Sequence, residues 1–157
     1  MSDIPTPQPY TDGDMPDSIR VACASNSGEL LNGHFGSCER FLVYQVSQTE
    51  QSLIDVREVG DDEAEEDKNA YRASLILDCQ VLFIASVGGP AAAKIVKKGI
   101  HPIKQPTVVP TSELLNKLQT ALVTPPPWLG KVMGKDAQAR ARFAGDDEDD
   151  ELLEAEG

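Results

Sequence analysis

The chain of 157 residues predicts an α/β domain: a mixed five-stranded sheet, made of a three-strand antiparallel meander and then two parallel strands, flanked by helices. Three observations predict it. "IRVACAS" (19–25) and "CQVLFIASVGGP" (79–90) are continuous apolar runs that stop at turn residues, as strands covered on both faces do. "ERFLVYQVS" (39–47) and "QSLIDVREVG" (51–60) alternate apolar with polar, and the few polar residues between them suit a hairpin. The segments that follow carry helical periodicity.

Each element has its own warrant. The run at 19–25 is short, apolar and rich in small residues, which suits a central strand, and the two alternating runs follow it as a meander. Acidic "DDEAEED" (61–67) opens a helix over 68–78, where early carboxylates suit the helix dipole and Ala70, Ala73, Ile76 and Leu77 share a stripe. The run at 79–90 turns straight into a helix with Pro90 at its first position, where a missing N–H costs nothing. That helix, "AAAKIVKKG", ends at Gly99. "IHPIKQP" (100–106) is a last strand, which its prolines confine to an edge. "TSELLNKLQTAL" (111–122) begins on a Thr or Ser cap and carries Leu114, Leu115, Leu118 and Leu122 on one face, and "TPPPWLGKVMG" then breaks regular structure. If the strands at 19 and 79 lie side by side and parallel, the loops after both emerge at one edge, where open α/β sheets hold ligands. "NGHFGSC" (32–38) then faces "VGGPAAAK" (87–94).

The formal charge of -12 belongs to the ends. Residues 1–18 hold four acids and no base, residues 145–157 hold eight acids and no base, and the body between is balanced at 14 acids against 14 bases. A neutral body gives no electrostatic footprint for nucleic acid. The Pro-rich leader (1–18) and the acidic tail (144–157) are expected to be disordered, leaving one domain at 19–143. Three widely spaced cysteines, Cys23, Cys38 and Cys79, form neither a disulfide framework nor a zinc pattern, and no run approaches the roughly 18 apolar residues of a membrane span. A reduced cytoplasmic setting is the expectation, with no membrane association.

Among candidate functional residues, His34 sits between Gly33 and Phe35-Gly36, so the backbone can bend sharply and expose the imidazole, a neutral nitrogen donor that suits borderline metals. A hydrogen-bonded structural histidine is the alternative. Phe35 reads as core, and Cys38 as either a soft-metal contact or a plain buried thiol. Cys23 and Cys79 read as packing residues. In "GGPAAAK", Gly88 and Gly89 let a ligand approach the backbone, and the helix start offers free N–H groups to an anion, with Lys94, Lys97, Lys98 and Lys104 as the densest local positive charge. No nucleotide-binding glycine motif is complete, and "IRVACAS" and "QVLFIAS" lack the carboxylates a two-metal nuclease needs.

Together, "VACAS", "GHFGSCERFLVYQV", "EDKNA", "GGPAAAKIVKKGIHPIK" and "PPPWLGKVMG" resemble the nitrogenase iron-molybdenum cofactor biosynthesis family, the NifX, NifY and NafY type of cofactor carrier, over residues 19 to about 143. The body is most similar to the longer NifY and NafY type, and the length to NifX. The resemblance implies a ribonuclease-H-like fold without nuclease or other enzymatic activity. It implies that the cargo is the iron-molybdenum cofactor or its iron-sulfur precursor, held before insertion into apo-dinitrogenase, with other cofactor assembly proteins as partners. The family's cluster-binding histidine maps onto His34, which would be the metal ligand. Gly33, Phe35, Gly36 and Cys38 would surround it, and Gly88, Gly89 and Lys94 would hold the cargo's negative end. Two rivals remain: a small-anion or phosphoryl transferase using the "GGPAAAK" turn, and a chaperone of apo-dinitrogenase that docks through Trp128 without carrying the cluster.

Overall fold

The computed structural model of the chain describes residues 4–62 and 66–131. The expected acidic tail and the end of the expected 19–143 domain lie outside the described residues. The chain divides into two compact units, Met1–Thr124 and Pro125–Gly157. In the second, residues 127–131 form a helical turn, with the Leu129 and Gly130 N–H groups both donating to the Pro126 carbonyl at 3.0 and 2.9 Å. The sheet belongs to the first.

That sheet has five strands: β1 (Ile19–Ser25), β3 (Arg40–Val46), β4 (Gln51–Glu58), β5 (Val81–Ile84) and β6 (His101–Lys104), in the order β4-β3-β1-β5-β6. β1, β3 and β4 pair antiparallel, whereas β5 runs parallel to β1 and β6 parallel to β5. This is the mixed sheet expected, with Pro102 on an edge strand as its missing N–H requires. The chain leaves β1 toward β3 and β4, then returns to the other side of β1 for β5 and β6. The switch point of the topology therefore lies between β1 and β5. A separate two-stranded ribbon pairs β2 (Leu30–Leu31) with β7 (Val109–Pro110). Two-residue strands are too short to show a period, so the sequence carries no sign of it.

The period of two along the strands sorts residues to two faces. Ala22, Ala24, Phe41, Val43, Leu82 and Ile84 form a core with Ala73 and Ile76, and with Ala91 and Ile95 of α2 (Gly89–Lys97). On the other face lies α3 (Thr111–Val123), with the four expected leucines buried and polar ties at its margin. The Tyr44 hydroxyl lies 3.2 Å from Thr111 Oγ1, and the Gln119 amide donates to the Ser47 carbonyl at 3.0 Å. Gly99 ends α2 in a left-handed conformation (φ 86°), which lets its N–H reach the Val96 carbonyl and that of Ile100 the Ile95 carbonyl, at 2.9 and 3.2 Å.

Four expectations are corrected. The first helix, α1 (Lys68–Ser74), stops before Leu77, which is 51% exposed; Ala70 is exposed too, and the inward face is Arg72 and Ala73, followed by Ile76. Pro90 stands second in α2, after Gly89. α3 has no side-chain cap, because Thr111 is buried and turns its N–H and hydroxyl to the Glu29 carbonyl, at 2.9 and 3.3 Å. Residues 4–18 of the leader hold to the sheet: the Gln8 N–H donates to the Leu53 carbonyl at 2.8 Å, Met15 is buried, and Asp12 pairs with Arg20 at 2.7 Å. Composition had suggested little burial, but the edge of β4 and the Arg20 guanidinium supply partners that composition does not reveal. No helix among the described residues is long and apolar enough to cross a membrane.

Asp78 ties the lower margin of the sheet together. It accepts from Arg57 at 2.7 and 3.0 Å and from Arg20 at 2.9 Å, and these contacts, Arg57 foremost, hold its carboxyl well below the usual carboxylate range. A carboxylate whose folded pKa is depressed stabilises the fold above its unfolded pKa of about 3.9, and that contribution disappears as pH falls toward the folded value. Asp78→Asn is expected to be less stable than the parent at pH 7, with the difference narrowing below pH ~4. Urea unfolding across pH 2–7 measures it.

Candidate functional site

The site is built where β1 and β5 diverge. After β1 the chain makes an excursion over residues 26–32 and then re-enters the gap between the two strands. There the Gly33 N–H donates to the Ala24 carbonyl of β1 at 3.1 Å, and the Ala85 N–H donates to the Gly33 carbonyl at 2.8 Å. One residue on, the Phe35 N–H donates to the Ser86 carbonyl at 2.9 Å, and His34 pairs with Ser86 in parallel fashion. Residues 33–35 are thus a wedge that continues the sheet past the end of β1.

Only glycine fits at the point of the wedge. A Cβ on Gly33 would lie 2.7 Å from Cys38 Cβ, 2.8 Å from the Ala24 carbonyl carbon and 2.9 Å from the Ser25 nitrogen, two of them backbone atoms that cannot yield. Gly36, Gly88 and Gly89 differ. A Cβ on Gly36 or Gly89 meets nothing within 4 Å, one on Gly88 meets only Pro90 Cδ at 4.0 Å, and none of the three has a positive φ. Neither packing nor conformation demands glycine there, and its effect is to leave bare backbone beside the rim.

Arg72 holds the wedge from below. Its side chain is 6% exposed, and it donates through Nη1 to the carbonyls of Phe35 (3.0 Å) and Cys38 (2.9 Å) and through Nε to Asp62 (2.9 Å). A buried charge costs several kcal/mol in lost hydration, so it persists only where its donors are matched. Here the matching acceptors are the carbonyls of the loop itself and one carboxylate, which that hydrogen bond holds below the usual carboxylate range.

The loop carries His34 outward. Its imidazole is exposed, and Nδ1 lies 2.6 Å from Ser86 Oγ. No hydrogen bond to Nε2 is found among the described residues. The 32–38 loop thus meets the chain at Ala85 and Ser86, immediately before the 87–94 segment it was expected to face.

Three expected site residues are placed elsewhere. Phe35 is 1% exposed and its ring packs in the core, 6.1 Å from Phe41, because neighbours along the wedge point to opposite sides: exposing His34 buries Phe35. Cys38 is fully buried with its Sγ 3.6 Å from Arg72 Nη1, and burial pushes its thiol up to about 11, so the side chain belongs to the interior and not to the rim. Lys94 lies five residues beyond the start of α2, roughly 7.5 Å along the helix, and its ammonium is 3.2 Å from Asp67, the N-cap of α1. Cys23 and Cys79 are buried as expected. Sequence reading missed Ser86, Arg72 and Asp62, which no motif marks.

At the start of α2, the Ala92 N–H already donates to the Gly88 carbonyl at 2.9 Å and Pro90 has no N–H, which leaves the Gly89 and Ala91 amides without intrahelical partners. Among the described residues no group of three or more His, Cys, Asp or Glu side chains could enclose a metal. One nitrogen donor and a bare backbone shelf make up the rim.

These features define a small mixed-sheet α/β domain that presents a single imidazole at its topological switch point. Residues 17–121 match the family described as dinitrogenase iron-molybdenum cofactor, and the chain belongs to that family. It is 50% identical over 141 residues to protein NifY of Azotobacter vinelandii, an alignment covering 89% of this chain and 58% of NifY, so the chain spans little more than half of that relative's length. It is 35% identical over 142 residues to protein NifX of Rhodobacter capsulatus, covering 85% of this chain and 88% of NifX. The crystal structure of PH0822 shares the fold at a TM-score of 0.54 and 17% identity, over 66% of this chain and 90% of that one.

Gly33→Ala is expected to cost about 1–3 kcal/mol through overpacking against backbone, whereas Gly36→Ala should stay within about 0.5 kcal/mol of the parent. Arg72→Met leaves the buried carbonyls of Phe35 and Cys38 without their donor and is expected to cost about 1–3 kcal/mol. Denaturant midpoints of the three variants, at constant slope, provide the check.

Proposed function

We propose that this chain handles the iron-molybdenum cofactor, or its iron-sulfur precursor, during nitrogenase cofactor biosynthesis: it binds the cluster transiently, without catalysis, and passes it on toward apo-dinitrogenase. The observation that carries this is the exposed His34 imidazole, with Nδ1 engaged by Ser86 and, among the described residues, no hydrogen bond at Nε2. A neutral imidazole nitrogen is a suitable donor to a cluster metal. Membership of the iron-molybdenum cofactor family and likeness to NifY and NifX support the choice of cargo. The sheet order, in which the first strand is central and the last two run parallel to it, supports the ribonuclease-H-like description of the fold.

The rim suits a bulky anionic cargo that must later leave. Bare backbone at Gly36, Gly88 and Gly89 gives room beside the imidazole, and the Gly89 and Ala91 amides at the positive end of α2 offer donors to a negative group. Phe35 and Cys38 serve the site from inside, by anchoring the loop. A single side-chain ligand favours transfer, whereas a closed four-ligand shell would resist it.

Anaerobic mixing with isolated cofactor is expected to load the protein with iron and molybdenum, and His34→Ala should lose most of that uptake while keeping its circular dichroism and unfolding midpoint. Metal analysis after gel filtration reads the result. Equal loading of the folded variant would overturn the role of His34. Capture of apo-dinitrogenase by that same variant separates docking from cargo binding.

A further inference from the structure

We propose that Ser86 is the positioning residue for His34: its hydroxyl oxygen accepts the Nδ1 proton and so fixes the tautomer in which Nε2 carries a lone pair. This rests on the assignment of His34 as the cluster ligand and goes beyond it by naming what prepares the ring. A neutral imidazole has one donor and one acceptor nitrogen, and only the acceptor can take a metal. If Ser86 donated to Nδ1 instead, the proton would sit on Nε2 and would have to be expelled before a cluster could bind.

The backbone explains why the hydroxyl meets this nitrogen. The hydrogen bonds from Ala85 to Gly33 and from Phe35 to Ser86, at 2.8 and 2.9 Å, clamp the His34–Ser86 pair on both sides. Side chains of directly paired residues stand beside each other on one face. Nδ1 is the ring nitrogen nearer its own backbone, and it comes within 2.6 Å of Ser86 Oγ. The nearest carbonyls are already engaged: that of His34 accepts from both Ser37 and Cys38, at 3.1 and 2.8 Å, and that of Ser86 accepts from Phe35 at 2.9 Å. Metal-binding histidines commonly give their second N–H to a neighbouring acceptor, and losing that neighbour typically costs 10–100-fold in affinity.

The test is long-range proton–nitrogen correlation NMR on cargo-free protein labelled with 15N-histidine, well above the ordinary imidazole pKa of about 6.5. The two histidines are told apart with a His101→Gln variant. His34 is expected to be protonated on Nδ1 in the parent and in Ser86→Thr, which keeps the hydroxyl. In Ser86→Ala the proton should move largely to Nε2, the site that free imidazole side chains prefer in water. A parent ring protonated on Nε2, or the same tautomer in the parent and Ser86→Ala, would overturn the proposal. Cofactor affinity, measured in parallel, is expected to fall about 10–100-fold in Ser86→Ala and to recover in Ser86→Thr. If the tautomer shifts as expected but His34→Ala still takes up cofactor, the positioning role of Ser86 stands and the ligand assignment falls. If His34→Ala loses cofactor while the tautomer ignores Ser86, the reverse holds.

Discussion

A buried guanidinium governs the architecture of the rim. Arg72 reaches from α1 to the carbonyls of Phe35 and Cys38, and so holds both ends of the bend that carries His34. A loop between strands ordinarily loses conformational freedom at roughly 1–2 kcal/mol per residue when a ligand orders it. Here that ordering is done in advance, by a charge that has nowhere else to place its donors and by a wedge that hydrogen-bonds to β1 on one side and β5 on the other. The same arrangement explains why Phe35 and Cys38 sit beside the site without lining it. They are the inward half of a bend whose outward half is the imidazole.

Under the carrier role proposed above, a preorganised frame with a sparse contact surface suits a protein that would hold a cluster and give it up. Preorganisation lowers the entropic cost of binding, so on that proposal one metal–nitrogen bond and a few backbone amides would go further than on a mobile loop. With one side-chain ligand, as proposed, the barrier to release would stay low. Strength is placed in the scaffold and restraint at the surface, and the topological switch point supplies the room, since neighbouring strands there lead their connections away in opposite directions.

Much of this was legible beforehand. β1, β3, β4 and α3 fall within a residue or two of the runs that predicted them, because a strand covered on both faces, an alternating pair and a leucine stripe are patterns set by burial alone. That the 32–38 loop meets the chain just after β5 followed from one assumption, that β5 lies beside and parallel to β1, which the register confirms. The leader, the β2–β7 ribbon and the cap of α3 were not legible, since each depends on a partner far along the chain, such as Leu53 for Gln8 or Glu29 for Thr111. The inward face of α1 was misplaced because Arg72 does not count as apolar, and only the loop carbonyls make it a core residue.

The sequence by itself determined the sheet, the two-sided core and the histidine flanked by glycines, because local periodicity and the conformational range of glycine are properties of neighbouring residues. Tertiary structure decided which residues of that loop face out, which nitrogen of the ring is engaged, and which charges are spent on scaffolding. Lys94 is paired with Asp67 and Arg72 with Asp62, while His34 meets Ser86. Those choices follow from backbones brought side by side across fifty or more positions in the last case. No short-range pattern encodes the distance between them.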